Sequence, residues 1–296
     1  MPDWFAIVLL GIVEGITEFL PVSSTGHLLI AQQWLPRQTD LFNVVIQGGA
    51  VLAVLPLFRD RLHQFFFRWR EAATQDYMLK LFIAFAITAA GGYEMDKKNF
   101  KLPENLLPIA VALFVGGVLF VIIENWLRGR QHGDRVTWPI AIAVGLGQLL
   151  AAGFPGTSRS GATILLSLLL GLNRVAATEF AFLVGIPTML AASGWKIFRA
   201  FHHPEAGAPV ENWSMVALGT IVSAVVSFIA VKWLLRYIQT HTFVAFGWYR
   251  MVLALVIAVL LLLGVASNPP APSAHQAPAK AQVAPFPARF SARAPA

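Results

Sequence analysis

Long apolar segments follow one another along almost the whole of this chain. A membrane-spanning helix needs about 20 consecutive apolar residues, and several of the segments reach or approach that length. Because they are continuous rather than alternating in polarity, they predict an all-α polytopic membrane protein and argue against a closed barrel. We place the segments at residues 5–20, 41–58, 79–93, 105–127, 136–153, 160–172, 175–198, 214–236 and 243–265.

The composition agrees with a membrane protein and excludes several kinds of site. Hydrophobic residues make up 57% of the chain and charged residues 12%, whereas soluble proteins carry about a quarter charged residues. The absence of cysteine excludes disulfides, thiolate metal sites and cysteine nucleophiles. The net charge of +7 comes mostly from short loops, a pattern that indicates orientation in a membrane and argues against nucleic acid as a partner.

The basic loops also predict an orientation. Most of the arginines lie in three loops, 59–80, 128–135 and 236–242. We expect these loops on one side of the membrane, and the positive-inside rule predicts that this side is cytoplasmic. Both termini would then lie on the opposite side. The cluster "DKKNFK", from Asp96 to Lys101, would lie there too, against the rule.

Two of the apolar stretches are interrupted by turns rich in proline and serine. The first runs to Pro21, continues as "SSTG" and resumes at 28–35, and the second is divided by "FPGTSRSG" between 136–153 and 160–172. Irregular backbone at membrane depth is tolerated only where protein or a water-filled cavity surrounds it. The interruptions therefore predict two re-entrant helix hairpins.

The two interruptions are similar in sequence. The first reads G-x-x-E-x-x-x-E-x-x-P-x-S-S from Gly11, and the second reads G-x-x-Q-x-x-x-A-x-x-P-x-T-S from Gly145, which pairs Ser24 with Ser158. Each is followed by three full spans, so the halves would have opposite topology. We predict two inverted-topology repeats, each a re-entrant hairpin plus three transmembrane helices, an arrangement that places a binding site near the midplane. A chance similarity between two turns is the alternative.

The domain organisation follows from these repeats. Repeat one covers about 5–127 and repeat two about 136–265, within a single membrane domain, 1–266. Residues 267–296 form a Pro/Ala-rich tail that cannot bury enough apolar surface to order itself, and we expect it to be disordered.

Two acidic residues occupy the first apolar stretch. Glu14 and Glu18 are four residues apart and share one helix face. Exposing either carboxylate to lipid at the middle of the bilayer would cost about 2.5–3.5 kcal/mol of insertion free energy, so both are expected to face a polar interior. Their mutual repulsion favours an acid/base pair or a bound cation. His27 follows as a candidate general base, nucleophile or metal ligand. Ser23 and Ser24 could act as nucleophile, as phosphate donors or as helix caps.

The motif "PGTSRSGAT", from Pro155 to Thr163, predicts an anion site. Its glycines allow close backbone approach, its hydroxyls donate hydrogen bonds, and the helix that follows presents free N–H groups at its N-terminus. Arg159 adds a planar charged fork suited to phosphate oxygens. The candidate catalytic residues are thus Glu14, Glu18, Ser24, His27 and Arg159, and the candidate phosphate-binding residues are Ser23, Gly156, Thr157, Ser158, Ser160, Gly161 and Thr163.

At these motifs the sequence resembles the undecaprenyl-diphosphate phosphatase family, also called the bacitracin-resistance family. The resemblance runs from about residue 8 to 265 and rests on "EGITEFLPVSSTGH", "PGTSRSGATI", "LLLGLNR" and "FGWYR". It implies a multi-pass enzyme of the bacterial inner membrane that hydrolyses undecaprenyl diphosphate to undecaprenyl phosphate and phosphate. That reaction recycles the lipid carrier for peptidoglycan and other cell-wall polymers and is associated with bacitracin resistance.

The resemblance also implies partners and a cofactor. It suggests a homodimer in the bilayer and dependence on Mg²⁺ or Ca²⁺, with Glu14 and Glu18 as candidate metal ligands. A transporter of the lipid phosphate is the main alternative, because inverted repeats with broken helices are also a transporter architecture. A purely structural membrane subunit would leave the buried charges without a role.

Several other polar residues are weaker candidates. Gln47 and Gln148 would line the cavity or bond neighbouring helices. We expect Arg250 to extend to the membrane interface rather than contact substrate, and Glu124 to be interfacial. Asn173 is expected to cap the next helix. Thr88, where relatives often have proline, is not expected to touch the site.

Overall fold

The computed structural model describes residues 2–98, 105–130, 132–202 and 212–266, and within these ranges the chain is helical. A short 3₁₀ turn, Leu55–Phe58, joins α3 to α4. The helices are α1 (Asp3–Thr17), α2 (Ser24–Ala31), α3 (Asp40–Val54), α4 (Arg59–Phe67), α5 (Ala72–Lys97), α6 (Leu106–Trp126), α7 (Trp138–Gly153), α8 (Arg159–Leu169), α9 (Arg174–His202), α10 (Trp213–Tyr237) and α11 (Val244–Leu262).

Six helical segments in the described part of the chain are long and apolar enough to cross a membrane. They are Asp40–Phe67, which combines α3 and α4, together with α5, α6, α9, α10 and α11. The chain is therefore a multi-pass membrane protein, as the apolar segments predict. Helices α1, α2, α7 and α8 are shorter and fall at the two interrupted stretches. The predicted tail, 267–296, lies outside the described residues, as does part of the Asp96 to Lys101 cluster.

The helices pack closely where small residues face each other. Helix α6 lies against α11, and a Cβ at Gly117 would come within 2.6 Å of the carbonyl oxygen of Gly247. Association between helices in lipid depends on this kind of close van der Waals packing, because water supplies no hydrophobic driving force there. In the same way, α1 packs against α10 and α7 against α5, which holds each short helix within the bundle.

Contacts connect the two helices of each short pair or the segments that flank them. Gly133, before α7, donates its N–H to the carbonyl of Gly171, after α8, and Asn173 donates back to Gly133 at 2.8 Å. The start of α1 and the end of α2 share a hydrophobic cluster in which Ile7 and Leu28 are buried. In both pairs, residues from the two helices or their flanking segments therefore lie close together.

The basic loops meet at the end of the bundle where α7 begins. Arg135 lies 4.0 Å from Asp76, and Arg61 donates to Glu179. Loops 59–80 and 128–135 therefore lie at the same end of the bundle, as expected, while their cytoplasmic placement stays a prediction.

The predicted helix cap at Asn173 is confirmed, because the amide of Ala176 donates to Asn173 Oδ1 at 2.8 Å.

The interfacial position expected for Glu124 stays a prediction, and the structure shows that this residue is buried between helices near the end of α6. Its side chain is 1% exposed and accepts hydrogen bonds from Arg174 Nε and from the amide of Phe243, both at 2.9 Å. Helix α6 ends where α9 and α11 begin, so the carboxylate meets the first turns of both helices. It thereby ties together three of the six candidate spans.

We expect Arg174→Gln to lower the thermal stability of the purified protein. The change leaves Glu124 buried without its cation, and removing one partner of a buried ion pair costs on the order of 3 kcal/mol. Thermal unfolding in detergent measures the effect. The matched control is Arg68→Gln, because Arg68 and Glu71 are both about half exposed and such pairs contribute at most about 1 kcal/mol. Equal unfolding temperatures for the two variants would contradict a role for Glu124 in joining the helices.

Candidate functional site

Two serines begin the second helix of each short pair with the same unusual backbone. Ser23 has φ 72° and Ser158 has φ 69°, and among the described residues only these two, apart from glycines, have positive φ. Each side chain accepts the amide of the residue three positions on, Gly26 for Ser23 and Gly161 for Ser158. Backbone in this region costs on the order of 1–3 kcal/mol, so the surrounding structure must impose it.

The positions of the two serine caps correct the alignment of the two turns that the sequence suggests. The sequence pairs Ser158 with Ser24, whereas the structure gives Ser158 the same place as Ser23. Counted from Pro21 and Pro155, the second loop has one more residue before its cap. Gly156, with φ 92°, lies in that longer loop, where its conformation would strain any residue with a side chain.

The two capped turns face a common cavity of about 290 Å³. Helices α2 and α8 both direct their N-termini at it, which supplies unpaired N–H groups and the positive ends of two helix dipoles. Helices α3, α5, α7 and α9 complete its walls. Of the candidate residues, those that line it are Glu18, Ser23, Ser24, Gly156, Ser158 and Arg159.

Glu18 connects the two turns inside this cavity. Its Oε2 accepts a hydrogen bond from Ser24 Oγ at 2.7 Å, and its Oε1 accepts one from Arg159 Nη2 at 3.0 Å. A hydroxyl bonded to a carboxylate that a third group holds in place is the arrangement of an activated nucleophile. Arg159 is 16% exposed and keeps further N–H donors for an anion.

Glu14 lies one helical turn before Glu18 and is fully buried. Neither of its carboxylate oxygens has a hydrogen-bond partner in the described part of the chain. Glu18, Gln47 and Arg159 are the polar groups around it. Buried carboxylates are normally paired or bound to a metal, so this one has capacity for a cation or a proton.

His27 lies on α2 but not among the residues that line the cavity. Its Nδ1 is 2.8 Å from the carbonyl oxygen of Ser23, and its Nε2 is 2.7 Å from the hydroxyl of Tyr249. Because the carbonyl can only accept, Nδ1 carries the proton and Nε2 accepts from Tyr249. The Nε2 contact connects α2 to α11, whereas the Nδ1 contact lies within the first turn of α2. The structure does not bring His27 to Glu18 as the sequence suggests.

The other residues of the predicted phosphate motif hold the turn rather than line the cavity. Ser160 Oγ donates to the carbonyl of Leu20 in the other turn at 3.1 Å. Thr163 donates to the carbonyls of Arg159 and Ser160, and the amide of Gly161 is used by the Ser158 cap. The carbonyl of Thr157 accepts from Arg250.

Arg250 is the residue that joins the two turns most extensively, and the expectation that it extends to the interface is wrong. It is completely buried and donates to five backbone carbonyls. No carboxylate among the described residues pairs with it. The broken helices leave carbonyls without helical partners, and the guanidinium supplies their donors. The acceptors are Pro21 in the first turn, Gly156 and Thr157 in the second, and Ala112 and Leu113 of α6.

Thr88 and Gln148 also reach the site. Gln148 Nε2 donates to Thr88 Oγ1 at 3.0 Å, and both residues line the cavity with Gln47 and Thr188. The expectation that Thr88 does not touch the site is therefore wrong. Nothing in the sequence around Thr88 indicates this contact, whereas "FGWYR" marks Arg250 without revealing its burial.

We expect Gly116→Ala to destabilise the protein by displacing Arg250. A Cβ at Gly116 would lie 2.2 Å from Arg250 Nη2 and 2.8 Å from its Cζ, so the guanidinium must leave its carbonyls. The matched control is Gly92→Ala, since a Cβ at Gly92 meets nothing within 4 Å. Glycine to alanine at an open helical site stabilises by up to about 1 kcal/mol, so thermal unfolding should move in opposite directions for the two variants. A shift in the same direction would contradict the role of Arg250.

Comparison with known proteins shows the family to which the chain belongs. The family model described as bacitracin resistance protein BacA matches residues 7–256. An undecaprenyl-diphosphatase of Rhizobium etli is 50% identical over 268 residues, 90% of this chain and 98% of the relative. One of Xanthomonas euvesicatoria is 48% identical over 269 residues, 90% of this chain and all of the relative. The match covers both broken turns and most of the membrane part, and the chain belongs to the bacitracin resistance protein BacA family.

Proposed function

We propose that this chain is a membrane hydrolase that converts undecaprenyl diphosphate to undecaprenyl phosphate and inorganic phosphate. The observation that carries the proposal is the Ser24–Glu18–Arg159 set in a polar cavity inside an apolar bundle. The names of its relatives support this substrate. The reaction would recycle the lipid carrier of peptidoglycan and other cell-wall polymers, and the family name links it to bacitracin resistance.

The proposed architecture is two inverted repeats, each a re-entrant hairpin followed by three spans. Several observations support it: the matched caps at Ser23 and Ser158, the contacts that connect each short pair or its flanking segments, and the six long helices. We place the protein in the bacterial inner membrane, where this lipid is used, and infer a homodimer from the family resemblance.

The diphosphate would bind between the two helix N-termini. Arg159 and the first-turn amides of α2 and α8 supply positive charge and donors, and the hydroxyls of Ser23 and Ser158 lie at the same surface. These groups also stabilise the negative charge on the equatorial oxygens during phosphoryl transfer. Ser160, Thr163 and Arg250 would act by keeping the turns in position.

Ser24 is our proposed nucleophile. Its Oγ attacks the terminal phosphorus while Glu18 accepts the hydroxyl proton, and the bond to the bridging oxygen breaks as undecaprenyl phosphate leaves. Glu18 passes this proton to the departing undecaprenyl phosphate. Water then attacks the phosphoserine, Glu18 takes a proton from the water, and this proton passes from Glu18 to Ser24 Oγ as phosphate departs. His27 would support this chemistry indirectly, through its bonds to Ser23 and Tyr249.

We further propose that Glu14 and Glu18 hold Mg²⁺ or Ca²⁺. The two unpaired oxygens of Glu14 fit such a role. The described residues contain no group of three acidic, histidine or cysteine side chains able to hold a metal alone. Mg²⁺ is commonly bound by one or two carboxylates with substrate phosphates, which fits this donor set. Bound there, the cation would neutralise charge on the diphosphate.

The decisive test is phosphate release from a C55 or C15 prenyl diphosphate by the detergent-purified protein. Glu18→Gln removes the proposed base, and such groups contribute about 10²–10⁴-fold. Arg159→Ala removes a charged donor to the transition state, with an expected loss of about 10²–10³-fold. A wild-type protein that binds lipid phosphate without releasing phosphate would favour the transporter, because detergent leaves no compartments to transport between.

A neighbouring glycine gives a test of Arg159 that leaves its charge in place. A Cβ at Gly185 would lie 1.6 Å from Arg159 Nη1, so Gly185→Ala must move the guanidinium from Glu18. A misplacement of about 1 Å can cost about 10²-fold in rate. Gly194→Ala on the same helix is the control, since a Cβ there meets nothing within 4 Å and activity should be unchanged.

The nucleophile can be tested by trapping. Acid quenching during turnover should leave phosphate on the peptide that contains Ser24, detected by mass spectrometry. Ser24→Ala should lose both this adduct and at least about 10³-fold of the activity, because the nucleophile and its base act as a unit. Ser24→Ala with nearly full activity would instead indicate direct attack by water.

Chelation tests the cation. EDTA should abolish phosphate release and added Mg²⁺ should restore it, because the diphosphate charge is otherwise only partly neutralised. Glu14→Gln removes one ligand charge and should raise the Mg²⁺ concentration needed for half-maximal activity at least about tenfold. Activity that is indifferent to the chelator would contradict the cation site and favour a protonated Glu14.

A further inference from the structure

The turn between α4 and α5 exposes large apolar side chains at the basic end of the bundle. Phe66 and Phe67 are 74% and 75% exposed, and no residue of α4 is buried. Arg68, Trp69 and Arg70 follow directly and are exposed as well. We call residues 66–70 the aromatic–arginine turn. An exposed apolar cluster of this kind marks an interaction site, and no step of the proposed hydrolysis uses it.

Two arginines at this end of the bundle lie over tryptophan rings. Arg70 Cζ is 5.0 Å from the centre of the Trp69 ring, and Arg130 Cζ is 3.9 Å from that of Trp126. No carboxylate in the described part of the chain pairs with either arginine. A ring beneath a guanidinium orients it and leaves its N–H groups free to donate. Both side chains therefore present oriented donors to an anion.

Other cations near the turn already have carboxylate partners. Arg68 donates to Glu71 at 2.7 Å. Lys80 also lies over a tryptophan, 5.5 Å from the centre of the Trp138 ring, but it is buried and paired with Asp76. The Arg70 and Arg130 stacks thus differ from these pairs in having unused donors at the protein surface.

The two stacks lie where a bilayer changes from hydrocarbon to head groups. Trp126 is the last residue of the candidate span α6, and Trp69 follows the end of the candidate span Asp40–Phe67 by two residues. Both tryptophans are about half exposed, at 52% and 51%. Tryptophan at the end of a span lies at the level of the head groups, where cationic side chains meet lipid phosphates.

We infer that the aromatic–arginine turn and the Trp126–Arg130 stack bind the head groups of anionic phospholipids. Arg70 and Arg130 would bind the phosphates, while Phe66 and Phe67 lie against the first part of the acyl chains. Charge complementarity favours lipid over a second copy of this chain, because two copies meeting at this turn would bring like charges together. The inference concerns the lipid around the protein and does not depend on the proposed hydrolysis.

Native mass spectrometry of the delipidated protein tests the inference. The probes are phosphatidylglycerol, which is anionic, and phosphatidylcholine, which has no net charge. We expect phosphatidylglycerol to bind the wild type more tightly. Arg70→Gln and Arg130→Gln should each weaken its binding about fivefold, the contribution of one cation near an anionic surface, and should leave phosphatidylcholine binding unchanged.

The matched control is Lys196→Gln. Lys196 is exposed and lies six residues before the end of α9 at His202, so the variant removes the same charge at the opposite end of that helix from Arg174. It should leave the affinity for both lipids unchanged. Equal binding of the two lipids by the wild type, or equal losses in the three variants, overturns the inference.

A substitution that keeps the charge tests the stack itself. Trp69→Leu retains Arg70 but removes the ring beneath it. We expect it to weaken phosphatidylglycerol binding about two- to fivefold, because an exposed cation–π contact contributes about that factor. Wild-type affinity in this variant would overturn the stack as the element that binds the head group.

The two phenylalanines distinguish lipid from a second copy of the chain. We expect the double substitution Phe66→Ser and Phe67→Ser to weaken phosphatidylglycerol binding and to leave the oligomeric state in detergent unchanged, as measured by analytical ultracentrifugation. A change of oligomeric state with unchanged lipid affinity would identify the turn as a subunit contact and overturn the inference.

Discussion

Polar groups inside this bundle must find partners within the protein, because lipid offers neither donors nor acceptors. The two broken helix pairs make that requirement severe, since each turn leaves carbonyls without helical partners. Arg250 meets it by donating to both turns and to α6 from a fully buried position. The site depends on this residue because the turns carry the cap serines, the proposed nucleophile and Arg159. Close contacts at Gly116 and Gly161 leave the guanidinium the room it occupies.

Once the turns are held in position, the charged groups of the cavity explain how it can bind an anionic substrate. Glu18 is held by one cation and one hydroxyl, while Glu14 beside it has oxygens without partners. An anionic substrate would bring the cation that Glu14 can bind and would compete for Arg159. The remaining polar contacts, including those of Ser160 and His27, connect the short helices to their neighbours. The proposed chemistry therefore uses few side chains that line the cavity, while many other polar side chains hold the short helices in position.

The sequence predicted more of the fold than of the site. Apolar runs of span length located six long helices, because a span needs continuous hydrophobic surface whatever packs against it. The proline and serine turns located both short pairs, since they interrupt such runs. The motifs named Glu18, Ser24 and Arg159, but not that Glu18 bonds both of the others. Arg250 was misjudged because its distance from the start of a helix does not reveal which carbonyls face it. Thr88 was missed because a lone threonine in an apolar helix carries no signal.

The amino-acid sequence was sufficient to identify a helical membrane protein with two interrupted helix pairs, and the residue types that could act on a phosphate. Hydrophobic length and the family motifs are local properties, so they can be read without knowing the neighbours. Tertiary structure alone decided which of these residues meet. It brought Ser24 and Arg159, 135 residues apart in sequence, to the same carboxylate, and it turned His27 away towards Tyr249. It also buried Arg250, since contacts between helices distant in sequence follow from packing of the whole bundle.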